Sequence, residues 1–494
     1  MKTKGMLHQL NYLERSEGKR NFALFAEMGT GKTWMTLADA ERLFIGNKID
    51  ALLVFAPKGP HSNWVLREIP KHMDIPCVTH IWDGQITTKR QKASLARLYT
   101  PAHHFDEPTL RVLSVNFDMM LSEKGRDVVA EFMRSFRVLA VVDESKKIAN
   151  PKSKRSHYVV EAGRAAEARR ILSGKPLTKA PMDLFAQFDF LKAGLLGTAS
   201  YRAFVAEFAV LLDPSSPKMK GIIRKMGAKA AWAQIVDEDE YGNKKYRNLD
   251  KLYALTQPHT FRVRKQDVLD LPPKVYETRT FQLTDKQRQV YDTLKEDYAY
   301  YSESEGPQSF AAIAARQKMK QVTSGFIFIN GKPELIDADS NPRMEAFLDI
   351  IDDVEDQQLI VWTIYREEIA QIVAKLKELG ISCVEYHGDI KDADRELAID
   401  EFQDGKHQVF VCNKAAYAGI TLTAANLSVY YSCDYDNDIR AQSEDRNHRI
   451  GTTGDSVLYL DLIAEDTIDE DAAQSRHVKN VLADHVIDGI PMAL

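Results

Sequence analysis

Cysteine is scarce in this 494-residue sequence, which contains only four. No two of them form a C-x-x-C pair; they are Cys77, Cys383, Cys412 and Cys433. Widely scattered cysteines argue against a zinc module and against a disulfide framework, and they are typical of proteins in a reducing compartment.

Long hydrophobic runs are also missing. No apolar stretch approaches the ~18 residues that a membrane-spanning helix needs, and the first residues lack the apolar core of a signal peptide. We therefore expect a cytoplasmic protein with no membrane partner.

The chain has no excess of positive charge. Lys and Arg number 66 against 71 Asp and Glu, so the formal net charge is -5. Overall charge thus gives no indication of nucleic-acid binding, and any basic track must be local. One local cluster exists, which is either a solvated helical face or a DNA contact: Lys218, Lys220, Arg224, Lys225, Lys229, Arg262, Arg264 and Lys265.

Short apolar segments of strand length alternate with amphipathic segments of helix length. This alternation predicts an α/β protein whose parallel sheets are covered on both faces. The segments fall into two groups and so predict two lobes. They are 22–26, 51–56, 111–115, 138–142 and 170–172 in the first half, then 358–363, 381–386, 408–412, 427–432 and 457–463.

The two groups place the lobes at residues 1–190 and 335–494. Residues 191–334 between them predict a mainly helical insertion, with a hairpin at 236–246 that turns around 241–243. The polar segment 301–309 is expected to be a mobile loop. A chain of this length has room for such a division into several domains.

A glycine-rich phosphate loop follows the first apolar segment. Its glycines let backbone N–H groups approach phosphates, Lys32 reaches the β and γ oxygens, and the Thr33 hydroxyl holds Mg²⁺. Upstream, the side-chain amide of Gln9 is placed to read the edge of adenine. The loop residues predicted to bind ATP are Met28, Gly29, Thr30, Gly31, Lys32 and Thr33.

An acidic pair, Asp143 and Glu144, follows the apolar segment 138–142. Such pairs are common and usually solvated, but here one stands at a strand end in a chain that also has a phosphate loop. We predict that Asp143 binds Mg²⁺ through water and that Glu144 polarises the attacking water.

Two arginines near the far end, Arg446 and Arg449, are separated by one helical turn and are expected to share a helix face. Cations delivered from a second lobe would neutralise charge that develops on the γ-phosphate, as arginine fingers do. The alternative is a salt-bridged surface helix, because Glu444 and Asp445 are adjacent.

These elements together resemble the Swi/Snf-like branch of the superfamily-two helicase-type ATPases. The most specific signature is residues 442–451, QSEDRNHRIG, and the similarity covers nearly the whole chain. The compact form is similar to members from bacteriophages and bacteria. Further matching elements are 56–58 with Asn63, Trp64 and Glu68; 150–154; 172–177; 386–388 with Arg395 and Phe402; and 415–425 with Gly419.

The resemblance implies two RecA-like lobes and a DNA-dependent ATPase that uses ATP and Mg²⁺ and translocates on double-stranded or branched DNA. Replication or recombination proteins are the partners it implies, in a bacterial or phage-infected cell. It also implies that both lobes hold the DNA backbone and that the block around Gly419 senses nucleotide. Polar loop residues at strand ends suit such phosphate contacts: Lys58, Asn116, Asn413, Lys414 and Thr421.

Three positions depart from the family pattern. Lys146 stands where the family commonly has His, and Ser173 and Lys175 stand where Thr is usual. Two other interpretations stay open. Lys146 and Lys175 are compatible with a nucleotide-switched DNA-binding scaffold that does not translocate, and the hairpin at 236–246 is the one candidate for the wedge that a strand-separating helicase needs. We expect Trp64 to be a core residue rather than a platform for bases.

Overall fold

The fold is described from a computed structural model that covers residues 1–226, 235–238, 244–305, 309–417, 420–432 and 436–491. Two parallel sheets form the centre of two lobes, so the α/β fold with two RecA-like lobes is confirmed. The strand segments expected from the sequence all lie in these sheets. Most of their residues are apolar and buried, although Arg111, Arg170 and Glu385 lie within them.

The first sheet has seven strands in the order β3-β4-β2-β5-β6-β1-β7, and every neighbouring pair is parallel. Helices pack on both of its faces. The strands are β1 (Asn21–Ala26), β2 (Ala51–Ala56), β3 (Cys77–Trp82), β4 (Leu110–Asn116), β5 (Val138–Asp143), β6 (Ala168–Ser173) and β7 (Thr260–Val263). The helices are α1 (Leu7–Ser16), α2 (Lys32–Ile45), α3 (Pro60–Asn63), α4 (Ile69–His72), α5 (Lys89–Leu98), α6 (Glu123–Ser135), α7 (Lys154–Gly163) and α8 (Leu184–Leu191).

The segment between the lobes is mostly helical, but it also supplies one edge strand to each sheet. In this segment β7 pairs with β1, and β8 pairs with the last strand of the second sheet. Its elements after α8, apart from β7, are α9 (Tyr201–Phe208), α10 (Pro217–Met226), α11 (Leu249–Thr256), α12 (Lys265–Val268), β8 (Lys274–Phe281), α13 (Asp285–Glu305), α14 (Phe310–Thr323), and the antiparallel pair β9 (Phe326–Ile329) and β10 (Lys332–Leu335).

The second sheet has six parallel strands in the order β12-β13-β11-β14-β15-β8. The first six strands of the first sheet, counted from β3, follow the same order along the chain as the six strands of the second sheet, counted from β12. In this comparison β1 corresponds to β8. The elements are α15 (Pro342–Asp353), β11 (Leu359–Trp362), α16 (Arg366–Glu378), β12 (Cys383–Tyr386), α17 (Asp392–Gln403), β13 (Val409–Cys412), β14 (Leu427–Tyr430), α18 (Asn437–Asn447), β15 (Val457–Ala464) and α19 (Ile468–Ala483).

Two local expectations can be compared with this fold. Glu238 pairs antiparallel with Lys244, as the predicted hairpin requires, although its turn at 241–243 lies outside the described residues. The loop expected at 301–309 was wrong for its first half, since α13 continues to Glu305. Residues 306–308 also lie outside the described part of the chain.

After α19 the chain returns to the first lobe. Val486 and Ile487 are buried in the hydrophobic core of that lobe, together with residues of β1, β2 and α8. The Asp488 carboxylate accepts a 2.8 Å hydrogen bond from Nε of Arg262 on β7. The chain therefore connects the two lobes twice, once before the second lobe and once after it.

Candidate nucleotide site between the lobes

The phosphate loop leaves β1 and opens α2, as the sequence predicts. Gly29 and Gly31 have positive φ values of 87° and 86°, a conformation that side chains rarely adopt. The Lys32 ammonium donates a 2.8 Å hydrogen bond to the carbonyl oxygen of Ala26, which holds it over the loop. Thr33 lies in the first turn of α2. A loop of backbone N–H groups at a helix N-terminus is suited to bind phosphate.

The Gln9 amide lies against this loop rather than facing open solvent. It is buried, its Nε2 donates to the Thr30 carbonyl oxygen at 3.2 Å, and its Oε1 accepts from the Met6 N–H. A Cβ atom on Gly31 would stand 2.1 Å from that Nε2. Gln9 therefore shapes the phosphate loop, and its predicted contact with adenine stays a prediction.

The acidic pair lies at the carboxyl end of β5, which is separated from β1 by one strand, β6. The Asp143 carboxylate accepts hydrogen bonds from the Trp64 indole N–H at 3.0 Å and from the Glu144 backbone N–H at 2.9 Å. Burial, followed by the neighbouring Glu144 charge, raises the pKa of Asp143 to about 6. Glu144 has a positive φ of 52°, which is uncommon for a residue with a side chain. These two carboxylates lie at the same sheet edge as Lys32.

Lys146 is the nearest cation to the acidic pair. Its Nζ atom lies 3.1 Å from Oε2 of Glu144, and it also bonds the Asp438 carboxylate of the second lobe. Burial alone would raise the pKa of Glu144, but the charges of Lys146 and Lys32 outweigh it and hold that pKa below its ordinary value. One of the three positions at which the chain departs from the family pattern thus lies inside the candidate site.

Helix α18 of the second lobe faces the phosphate loop, and one of its arginines contacts it. Nη2 of Arg446 lies 2.7 Å from the Met28 sulfur, and its other hydrogen bonds run to the carbonyl oxygens of Gln442 and Ile420. Burial lowers the pKa of Arg446 to about 10, which still leaves it a cation at neutral pH. This contact brings an element some 400 residues away in the sequence onto the loop.

The expectation that both arginines share a helix face was wrong. Helix α18 ends at Asn447, so Arg449 lies on the turn that follows, where its Nη1 donates 2.8 Å to the Thr421 hydroxyl. The helix ends there because His448 leaves the helical conformation, with ψ of 76°. Arg446 and Arg449 nonetheless converge, since both donate to the Ile420 carbonyl oxygen.

The alternative of a salt-bridged surface helix does not describe α18. Glu444 and Asp445 are paired with other cations: Glu444 with Lys274 and Arg440, and Asp445 with Lys265. Glu444 is only 6% exposed. Its neighbours line a cavity of about 140 Å³ that also reaches Lys32, Glu144 and Lys175. Helix α18 is thus part of the wall of the nucleotide site.

The residues expected to contact DNA fall into two groups. Lys58 and Lys414 are exposed just beyond the ends of β2 and β13. Asn116 and Asn413 are buried, and each side chain accepts a backbone N–H from two residues on, so each caps a short turn at the matching place in its lobe. The Thr421 hydroxyl accepts from Arg449. Gly419 lies outside the described residues.

The basic cluster is divided by the structure. Lys220 and Arg224 are exposed on α10, whereas the second group is already paired with acids: Arg262 with Asp488 and Glu27, Arg264 with Asp267, and Lys265 with Asp445. The second group is therefore not a set of free cations, and its contact with DNA stays a prediction. The side chains of Lys218 and Lys225, and all of Lys229, lie outside the described part of the chain.

Two residues of the site were missed as functional from the sequence. Trp64 is a core residue, 2% exposed, yet its N–H also orients Asp143. Gln187 is fully buried between the acidic element and the 172–177 element: it accepts from the Ser145 hydroxyl at 2.6 Å and donates to the Pro176 carbonyl oxygen at 2.8 Å. No local pattern signals either contact, because each joins residues far apart in the sequence.

Across the described ranges, no helix has both the length and the apolar character needed to cross a membrane. Two family models match the chain: the SNF2-related domain over residues 7–334 and the helicase conserved C-terminal domain over residues 342–451.

Curated relatives resemble the chain along much of its length. The CHD3-type chromatin-remodeling factor PICKLE of Arabidopsis thaliana is 23% identical over 98% of this chain and 34% of its own length. The mouse Chromodomain-helicase-DNA-binding protein 1-like is 24% identical over 94% of this chain and 47% of its own length. The Zorya protein ZorD of Escherichia coli is 25% identical over 70% of this chain and 31% of its own length. The chain thus spans about a third to a half of these relatives.

Among solved structures, the Sulfolobus solfataricus SWI2/SNF2 ATPase core in complex with dsDNA is 20% identical, with a TM-score of 0.41, over 100% of this chain and 98% of that chain. The first family model alone covers well over half of the chain, and its match includes the phosphate loop and the acidic pair. The chain therefore belongs to the SNF2-related family of helicase-like ATPases.

Proposed function

We propose that this chain is a DNA-dependent ATPase that translocates on double-stranded DNA. The observation that carries the proposal is that the nucleotide site is built from both lobes. Lys32 and the acidic pair come from the first lobe, and Arg446 of the second lobe contacts Met28 in the phosphate loop. A site assembled in this way forms and breaks as the lobes move, so that the nucleotide state is linked to motion.

The residues present fit ATP with Mg²⁺. The left-handed glycines open the backbone of the loop, Lys32 supplies positive charge to the β and γ oxygens, and the Thr33 hydroxyl and Asp143 are oxygen donors of the kind that Mg²⁺ prefers. Glu144 would orient the attacking water. Arg446 and Arg449 would stabilise the charge that develops on the γ-phosphate in the transition state.

Three observations support DNA as the polymer along which the protein is proposed to translocate. Lys58 and Lys414 are exposed beyond strand ends on the two lobes, which suits contacts to a backbone that both lobes hold in turn. Lys220 and Arg224 add a basic face on α10. One of the relatives, the mouse Chromodomain-helicase-DNA-binding protein 1-like, is named for DNA binding. The DNA would be duplex or branched, and replication or recombination proteins are the partners proposed with it.

Two measurements test the proposal. ATP hydrolysis should be slow alone and rise several-fold with duplex DNA, and added salt should weaken this stimulation steeply because phosphate contacts release counterions. The protein should then displace the third strand of a DNA triplex without unwinding the duplex. Equal hydrolysis rates with and without DNA contradict the coupled motor, and unwinding of the duplex supports a helicase instead.

A second candidate, a nucleotide-switched DNA-binding scaffold, is favoured by one observation. Lys146, which stands where the family commonly has His, lies at ion-pair distance from Glu144, so a departure from the family pattern lies beside the carboxylate proposed to act on water. In the same experiments a scaffold would bind duplex in a nucleotide-dependent way, but neither displace the third strand nor unwind.

A further inference from the structure

Lys146 lies between a catalytic carboxylate and the opposite lobe. Its side chain is 8% exposed, so the ammonium depends on the protein for its partners rather than on water. Those partners are Glu144, two residues earlier in the chain, and Asp438, which is 292 residues away. One lysine is therefore shared by an acid of each lobe.

The two carboxylates, of Glu144 and Asp438, do not bind the Lys146 ammonium in the same way. Lys146 donates a hydrogen bond to Oδ1 of Asp438. Oε2 of Glu144 is 3.1 Å from the same ammonium but outside hydrogen-bonding geometry, and this buried oxygen has no hydrogen-bond partner among the described residues. Buried acceptors are nearly always satisfied, so an unsatisfied one at a catalytic carboxylate is a place for a water or a substrate group to donate.

Asp438 is well placed to hold the lysine. It lies in the first turn of α18, where the helix dipole favours a negative charge. Its other oxygen accepts a 2.9 Å hydrogen bond from Gln442, one turn along the same helix. Arg446 lies on the same helix. When Asp438 is close to Lys146, Arg446 is therefore also at the phosphate loop.

We infer that Lys146 is a positioning residue that makes the availability of Glu144 depend on the second lobe. With α18 in place, Asp438 takes the hydrogen bond of Lys146 and leaves Oε2 of Glu144 free to accept one from the attacking water. When α18 moves away, Lys146 keeps Glu144 as its remaining partner and occupies that oxygen. Hydrolysis is thereby confined to the arrangement in which the arginines are also present.

The inference rests on the proposed ATP hydrolysis and is tested by a double-mutant cycle. Asp438→Asn should lower kcat about ten-fold with KM for ATP little changed, because it removes the negative charge that competes with Glu144 for the Lys146 ammonium. Lys146→Gln should raise the rate without DNA several-fold. The double variant should behave like Lys146→Gln, since Asp438 acts only through Lys146.

A second readout does not depend on turnover. The midpoints of thermal unfolding of the nucleotide-free wild type, both single variants and the double variant should be non-additive, because the two side chains contact each other. Lys147→Gln is the matched control: it removes one positive charge from an exposed neighbour in the same turn. In the Lys147→Gln protein, Asp438→Asn should still lower kcat about ten-fold, as it does in the wild type.

Specific outcomes overturn the inference. It fails if Asp438→Asn is as damaging in the Lys146→Gln protein as in the wild type, if Lys146→Gln slows hydrolysis without DNA, or if the unfolding midpoints are additive. A wild-type protein that does not hydrolyse ATP contradicts the proposed function itself. An active wild type with additive variants contradicts this inference alone.

Discussion

At the scale of single residues, the site depends on backbone conformations that few side chains allow. Gly31 is the sharpest case, because it has a positive φ and because a Cβ atom would collide with the Gln9 amide. Glu144 also has a positive φ, although it carries a side chain and is proposed to act on the attacking water. Such strained backbone at a functional residue persists only where the surroundings impose it.

Replacing two residues should separate nucleotide binding from hydrolysis. Lys32→Ala should abolish ATP binding because its charge acts in the ground state, whereas Glu144→Gln should preserve binding and stop turnover because Glu144 acts in the transition state. Binding of a fluorescent ATP analogue and release of phosphate measure the two effects. Normal hydrolysis by the Glu144→Gln protein would show that the acidic pair is misassigned.

The indole hydrogen bond to Asp143 can be tested without disturbing the core. Trp64→Phe keeps most of the buried ring but removes the donor, so it should raise the Mg²⁺ concentration needed for half-maximal hydrolysis roughly ten-fold. Trp82→Phe is the matched control, because the buried Trp82 N–H has no hydrogen-bond partner within the described ranges. An equal change in both variants would mean that packing, rather than the hydrogen bond, is responsible.

The sequence predicted the parts of the site that are local and missed those that are not. Lys32, Asp143 and Glu144 occur in short patterns whose spacing alone brings them to strand ends, and the structure has them together at one sheet edge. The contact of Trp64 with Asp143 spans 79 residues, and that of Lys146 with Asp438 spans 292. The first contact depends on how the first lobe folds and the second on how the two lobes pack, and no local pattern encodes either.

At the scale of elements, α18 is unusual because it is polar yet largely enclosed. Its Glu444 is buried; burial alone would raise the pKa of Glu444, but Lys274 and Arg440 outweigh it and hold that pKa far below its usual range. The stability that this carboxylate contributes is therefore present above its ordinary pKa and lost as the pH falls toward its folded-state pKa. The cluster fixes the helix that presents Arg446.

The end of α18 makes the two arginines unequal. Arg449→Ala should cut turnover on the order of a thousand-fold with little loss of ATP affinity, as expected for an arginine finger. Arg446→Ala should reduce turnover and also lower the midpoint of thermal unfolding, because Arg446 is 2% exposed and bonds two backbone carbonyls. Circular dichroism with heating distinguishes them, and a destabilised Arg449→Ala protein would assign that residue a structural role.

At the scale of the whole molecule, the two sheets have matching strand orders apart from the additional strand β7, and the two lobes meet at the candidate nucleotide site. The sequence predicted both sheets from strands that are mostly apolar. It missed β3, whose burial alternates along Cys77–Trp82, and the edge strands β7 and β8, which are only partly buried. Edge strands have one neighbour and one exposed side, so their composition is close to that of a loop or a helix surface.

The return of the chain to the first lobe should matter for the stability of that lobe. Val486→Ala together with Ile487→Ala should lower its thermal unfolding midpoint by about 5 °C or more, since both side chains are buried in its core and truncating an isoleucine alone costs about 2–5 kcal/mol. Ile490→Ala is the matched control, because Ile490 lies in the same segment but is 42% exposed. Arg262 links the neighbouring Asp488 to Glu27, beside the phosphate loop, so weaker ATP binding should accompany the lower midpoint. A first lobe that unfolds at the wild-type temperature in the double variant would mean that the segment rests on this core without stabilising it.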